Sequence, residues 1–175
     1  MSKKFFDVSL EILNKEVPII GKNIEDLNNR VILLDLTREL KGKLAEAKFK
    51  VEIKDNKPIG KIIYYGLIQN YARRLVRKGT SPVEDSFVAK SKDGFNIRIK
   101  PLLVTRKKVV RNVRKKLRNK ARELLIKFIN ENNRVDIFES IINYKIQKDI
   151  FKELKKIYPL IVCDIRRIYI EKEKI

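Results

Sequence analysis

Ten of the seventeen residues from Arg106 to Arg122 are Lys or Arg, and none is acidic. In the same stretch Val110, Val113, Leu117 and Ala121, continued by Leu124 and Phe128, recur at spacings of three and four. That is the period of an amphipathic helix. At about 100° per residue, Lys108, Arg111, Lys115, Arg118 and Arg122 fall on one stripe roughly 120° from the centre of the apolar face. The stripe runs for about 21 Å at 1.5 Å per residue. The chain must therefore build a core against one side of this helix and leave another side for solvent or a polyanion.

Charge is concentrated around this helix. Residues 61–128 hold 20 basic and 4 acidic groups, net +16, whereas residues 1–60 and 129–175 each carry +2 of the total +20. So dense a positive field repels itself unless counter-charge is present. A merely solvated Lys-rich face intermixes Glu, as salt-bridged surface helices do, and here Glu is nearly absent. The pattern points to nucleic acid.

Apolar residues make up 43% of the chain, enough to bury a core, so this is not a disordered basic tail. No apolar run reaches the eighteen or so residues of a membrane span. The start, Met-Ser-Lys-Lys-Phe-Phe-Asp, lacks the apolar stretch of a signal peptide, and the chain reads as cytosolic. The lone Cys163 permits no internal disulfide or zinc cluster, and among Leu160, Ile161, Val162 and Ile165 it reads as a small buried hydrophobe. There is no histidine, which removes the commonest general base and metal ligand. The six glycines form no phosphate-binding loop. No cofactor or metal is expected, and an enzyme is disfavoured.

Phe49, Val51 and Ile53 alternate with Lys48, Lys50, Glu52 and Lys54, a half-buried strand, followed by an Asp55-Asn56-Lys57-Pro58 turn and a returning strand over 61–67. Val31 to Leu36 reads as a buried strand, and Thr37 to Lys48 as a short helix capped by Thr37. Phe87 to Lys90 and Phe95 to Lys100 alternate on either side of Asp93-Gly94, a strong hairpin signal because the turn needs positive φ. Asn96, Arg98 and Lys100 then share one face. Pro101 is expected to end that strand and Thr105 to cap the basic helix, which the Asn130–Asn133 cluster closes. Asp136 with Glu139 reads as the cap of a second helix, whose apolar line is Ile142, Ile146, Ile150, Leu154 and Ile157 and which Tyr158-Pro159 stops. Ile161 to Ile170 forms a final strand with Arg166 and Arg167 on opposite faces, before a frayed charged tail over 171–175.

Strands, then helices, then one strand predict an α+β protein with a β-rich part over 1–104 and a helical α/β part over 105–175, folded as one compact unit. The second part has two main helices and the final strand.

Leu75-Val76-Arg77-Lys78, Asp93-Gly94-Phe95 with Arg98, Thr105-Arg106 and above all Lys156-Ile157-Tyr158-Pro159-Leu160 resemble the eS-one (S-three-A-e) family of archaeal and eukaryotic small-subunit ribosomal proteins. Order and spacing agree along nearly the whole chain. Phe5-Phe6-Asp7-Val8 is similar to the family's aromatic N-terminal entry without its usual Trp. Lacking a long basic N-terminal extension and an acidic C-terminal tail, the chain looks like a compact archaeal-type member. The resemblance implies a β-barrel-like N-terminal part with hairpins and a cytoplasmic place on the small-subunit platform. Implied partners are rRNA near its 3′ end, neighbouring platform proteins and the mRNA exit region.

Under that resemblance the phosphate contacts fall to Lys108, Arg111, Lys115, Arg118 and Arg122, with Lys107, Arg114 and Lys116 beside them. Arg73, Arg74, Arg77 and Lys78 grip a second strand, Arg98 and Arg106 bridge the patches, and Arg166 and Arg167 extend them. Tyr71 and Phe95 either stack on unpaired bases or, as most strand aromatics do, pack inward. Two other readings stay open. Asp35 with Glu46 and Lys48 superficially resembles the Mg²⁺ site of some nucleases, although Glu52-Ile53-Lys54 fits the same pattern by chance. A DNA-coating protein shares the electrostatics.

Overall fold

The structure, a computed structural model, describes residues 4–13, 15–40, 42–54 and 57–171. Its frame is one mixed sheet of nine strands. Strands β1 (Lys4–Leu10) and β2 (Lys15–Gly21) form an antiparallel hairpin, and β3 (Val31–Asp35), β4 (Ala45–Lys54) and β5 (Lys57–Leu67) form a meander. Helix α1 (Gln69–Leu75) leads to the short β6 (Pro82–Glu84), then β7 (Phe87–Lys90) and β8 (Asn96–Thr105). Helices α2 (Arg111–Glu131), α3 (Arg134–Ile142) and α4 (Lys145–Lys155) follow, and β9 (Leu160–Ile170) returns to the sheet between β5 and β8, antiparallel to both. The α+β class and the order of strands, helices and final strand hold. The expected barrel-like part is this mixed sheet, and its pairings among the described residues form no closed ring.

The alternations translate directly into burial. Ala45, Ala47, Phe49 and Val51 are buried, while Glu46, Lys48 and Lys50 face outward. The 87–99 hairpin forms with Lys90 opposite Asn96 and Gly94 at φ +85°. The Asp55-Asn56 turn lies outside the described residues, but Lys54 pairs with Lys57 across it. Residues 172–175 of the tail lie outside them too.

Several elements depart from the expectation. No helix spans 37–48. The Asp35 carboxylate accepts the Thr37 N–H at 2.8 Å and the Thr37 hydroxyl, which closes a turn instead, and β4 starts at Ala45. β3 is an edge strand rather than a buried one, with Val31 and Leu33 more than half exposed. Pro101 does not end β8. It sits at a register shift against β9, where the ladder does not need its missing N–H, and burial is continuous from there to Thr105, as in a strand covered on both faces.

Thr105 is consequently the last residue of that strand and caps no helix; α2 begins six residues later with Val110 as its N-cap. The second helix starts after Asn133, not at Asp136, and is two helices: Tyr144 turns the chain at φ +59°. The Tyr144 hydroxyl donates to the Cys163 carbonyl at 3.0 Å, and the buried Gln147 amide donates to the Ile141 carbonyl at 2.9 Å. The apolar line through Ile142, Ile146, Ile150 and Leu154 stays buried across the break, while Ile157 is exposed.

Candidate nucleic-acid interface

Helix α2 is held to the sheet by Leu117, Ala121, Leu125 and Ile129, all buried at a spacing of four, with Val113, Leu124 and Phe128 partly buried beside them. Val110 stays outside this seam and is exposed. Outside the seam Arg111, Arg114, Lys115, Lys116 and Arg118 are exposed, and none has an acidic partner among the described residues. The helix has no side-chain cap and no acid in its first turn. Its N-terminal backbone N–H groups and dipole thus add positive potential where Arg111 and Arg114 already stand. This end of the helix gains from any anion placed against it.

A second cluster is brought to the same end. After α1, with Arg73 and Arg74 exposed, the chain runs through exposed Arg77 and Lys78 to Ser81. Ser81 donates its N–H to the Thr105 hydroxyl and accepts the Thr105 N–H on its carbonyl, both at 3.1 Å, while its own hydroxyl accepts the Val109 N–H at 3.2 Å. Arg106 donates its N–H to the Pro159 carbonyl at 3.0 Å. These bonds fix the exposed Arg106, Lys107 and Lys108 in a loop ahead of α2, against the 77–81 turn. Lys108 is therefore not on the helical stripe, but it stands beside it.

Three of the expected contacts are occupied by acids, and a fourth lies on another face. Arg122 holds Asp85 with two bonds of 2.7 and 2.8 Å and lies over the Phe87 ring, 5.5 Å from its centroid. Burial alone would raise the Asp85 carboxyl, but bonds from Arg122 and the Ser86 N–H and the charge of Arg118 hold it below its ordinary 3.8. Arg98 pairs with Glu171 and Arg166 with Glu84. Arg167 points from β9 into a groove on the outer sheet face, away from the helical cluster. Tyr71 packs partly buried against the core, whereas Phe95 is 45% exposed.

Two buried ionic sites escaped the sequence reading. Arg134 donates to the Ile62 carbonyl at 2.7 Å and to both oxygens of Glu11, and its N–H is taken by Asp93. Lys43 pairs with the buried Asp164 at 2.7 Å. Both lie in near-neutral segments, and nothing in their local sequence marks them.

Asp35 and Glu46 do stand opposite each other on β3 and β4. Asp35, however, is engaged by Thr37, Glu46 accepts the Tyr64 hydroxyl at 3.2 Å, and the Lys48 ammonium lies 5.2 Å from the Tyr64 ring centre. Glu52 is paired with Lys61. Among the described residues no three His, Cys, Asp or Glu side chains gather where a metal ion could sit, and no helix is long and apolar enough to cross a membrane.

The model of the Ribosomal S3Ae family matches residues 3–174. Three archaeal proteins, each called small ribosomal subunit protein eS1, are similar to the chain. That of Methanothermobacter thermautotrophicus is 27% identical over 127 residues, covering 72% of this chain and 65% of its own length. That of Haloarcula marismortui is 26% identical over 154 residues, with coverages of 87% and 70%. That of Desulfurococcus amylolyticus is 29% identical over 155 residues, with coverages of 86% and 70%. The chain thus spans about two thirds of the length of the relatives it matches.

Proposed function

The chain belongs to the ribosomal S3Ae family, and from that premise we propose that it is a structural constituent of the small ribosomal subunit, held on rRNA by the joined basic surface of α2 and the 73–78 and 106–108 segments. It works in the cytoplasm, inside the ribosome, and catalyses nothing. The observation that carries this reading is the stitching by Ser81. It sets two clusters of acid-free cations, thirty residues apart in the chain, against one uncapped helix end.

Structured RNA is met mainly through its shape, phosphates and 2′-hydroxyls. Arg111, Lys115 and Arg118 along one helical stripe, with Arg114, Lys116 and Lys107 at its flanks, track one backbone; Arg73, Arg74, Arg77 and Lys78 take a second. Arg offers a planar fork to a phosphate, whereas Lys acts as a point charge. In keeping with its relatives' printed name, the surface docks on small-subunit rRNA. We place that docking on the platform, near the rRNA 3′ end and the mRNA exit, beside other platform proteins. The 1–104 and 105–175 parts enter the subunit as one unit, since β9 lies between strands of the first part.

With about six phosphates engaged on irregular RNA, log K falls against log[salt] with a slope near −4. The variant Arg111→Glu/Lys115→Glu/Arg118→Glu is expected to lose incorporation into small subunits that survive a high-salt wash. Normal incorporation refutes the helix as the docking surface. Equal affinity for duplex DNA and rRNA fragments would instead favour the DNA-coating reading.

A further inference from the structure

The outer face of the sheet, away from α2, carries a row of side chains in cross-strand register. Lys48 on β4 stands opposite Tyr64 on β5, Tyr64 opposite Tyr169 on β9, and Tyr169 opposite Arg98 on β8. In the next row Gly66 faces Arg167 and Arg167 faces Lys100. Directly opposed residues have Cβ atoms about 5 Å apart, so the two tyrosines stand side by side on this face. A Cβ on Gly66 would collide with the Tyr64 hydroxyl. The missing side chain is what lets that phenol extend across the strand to Glu46. Burial raises the Tyr64 pKa, which keeps it a neutral ring.

Around these tyrosines the face opens into a groove of about 930 Å³, which the Phe95 ring, 45% exposed, also lines. That volume is at the upper end of the roughly 300–1,000 Å³ of small-ligand sites. Its acids are occupied: Glu52 by Lys61, Glu171 by Arg98 and Asp93 by the Arg134 N–H. Lys50, Lys100 and Arg167 have no acidic partner among the described residues, and the Arg167 Nε is buried without an acceptor. Half-buried tyrosine rings, Tyr64 with the Lys48 ammonium over it, and the unpaired cations around them suit bases and phosphates of single-stranded nucleic acid, which binds by stacking in a positive groove.

We propose that this sheet face is a second RNA site, taking unpaired nucleotides of the rRNA with bases on Tyr64 and Tyr169 and phosphates on Lys50, Lys100 and Arg167. The proposal rests on the chain being an rRNA-binding protein, but it concerns a face that α2 does not reach. A peptide from a neighbouring protein is the competing occupant. The acid-free cations favour RNA.

The test uses the full chain and a six-nucleotide oligouridylate with a central 4-thiouridine. Binding is measured by fluorescence anisotropy, and photo-crosslinks are mapped by mass spectrometry. Wild-type protein is expected to crosslink in the peptides of Tyr64 or Tyr169. Tyr169→Ala, checked for native circular dichroism, weakens binding about tenfold, since stacking contributes about 1–3 kcal/mol per base. Tyr169→Phe keeps the affinity. Lys100→Ala reduces the log–log salt slope by about 0.7, a second readout that does not depend on the aromatic variant folding well.

No binding by the wild type, unchanged affinity in Tyr169→Ala, or crosslinks confined to α2 overturns the proposal. So does a photo-crosslinker placed at Lys100 that captures protein rather than rRNA in assembled subunits. The Arg111→Glu/Lys115→Glu/Arg118→Glu variant separates the two readings. Lost incorporation with retained oligonucleotide binding supports both, and lost oligonucleotide binding overturns the sheet site alone.

Discussion

Replacing Arg134 with Met tests whether the helical part and the sheet are one cooperative structure. Arg134 opens α3 and is 8% exposed. Its guanidinium reaches β5 through the Ile62 carbonyl at 2.7 Å and the β1–β2 turn through Glu11 at 2.9 and 3.1 Å. Met keeps the apolar stem and removes the charge. Breaking a buried pair by deleting one partner costs about 3–5 kcal/mol. The Glu11 side chain is 24% exposed, so water recovers part of its loss and places the ion pair near the lower bound. A carbonyl that loses a charged donor adds about 1 kcal/mol. The expected total is about 3–4 kcal/mol, or a melting temperature lowered by about 10 °C for a chain of this size.

Urea unfolding followed by circular dichroism at neutral pH measures this loss directly. Arg134→Lys, which keeps a charge but offers no fork, should lose about half as much. Arg118→Met, on the open face of α2, should change stability by less than about 0.5 kcal/mol. A loss below about 1 kcal/mol in Arg134→Met refutes the argument that this residue ties the parts together. A separate, earlier transition of the helices in the wild type refutes their cooperativity with the sheet.

Three further outcomes follow from the packing. Asp85 is held below its ordinary 3.8, so its bridge to Arg122 stabilises the fold above that pH and is lost as pH falls through the lowered value. Asp85→Asn should cost about 1 kcal/mol at pH 7 and flatten the acid limb of a stability–pH profile; an unchanged acid limb contradicts the assignment. Cys163 is buried and its thiol is pushed up to about 12, so at pH 8 a disulfide reagent should label it only on unfolding, and labelling of the native protein at a free-thiol rate contradicts its burial. Leu117→Ala, fully buried beneath the basic face, should cost about 2–5 kcal/mol yet leave RNA affinity intact in the cold; an affinity loss in the folded variant would mean that the face depends on finer helix positioning.

Much of the sheet and the α2 seam was legible because each is written in a local period: two over 45–54 and 87–99, close to four over 113–129. Boundaries were less so. Thr105 looks like a cap in isolation, but its place is decided by pairing with Leu160, fifty-five residues later. The turn at Tyr144 carries no Gly or Pro and is set by a bond to β9. The same limit governs the site. The cations of α2 and of the 73–78 segment were visible as composition, but which of them are free was not. Arg122, Arg98 and Arg166 take acids 37, 73 and 82 positions away, and only the fold reveals such pairings. The outer-face row was invisible for the same reason: its residues come from four strands, and each strand contributes one ring or one cation to it.

The position of β9 has a consequence for how the protein is made. The strand closes the gap between β5 and β8, yet about fifty residues separate it from the end of β8, which at about 5–20 residues per second is some 3–10 s of synthesis. During that interval the edges of β5 and β8 are open, while the cationic helix has already emerged. The nascent chain thus offers its basic surface before its sheet is complete. Antiparallel pairing over so long a separation is also slow to form. An early grip on polyanions would shield the positive charge while the chain awaits its last strand, so binding and the completion of folding are coupled in time.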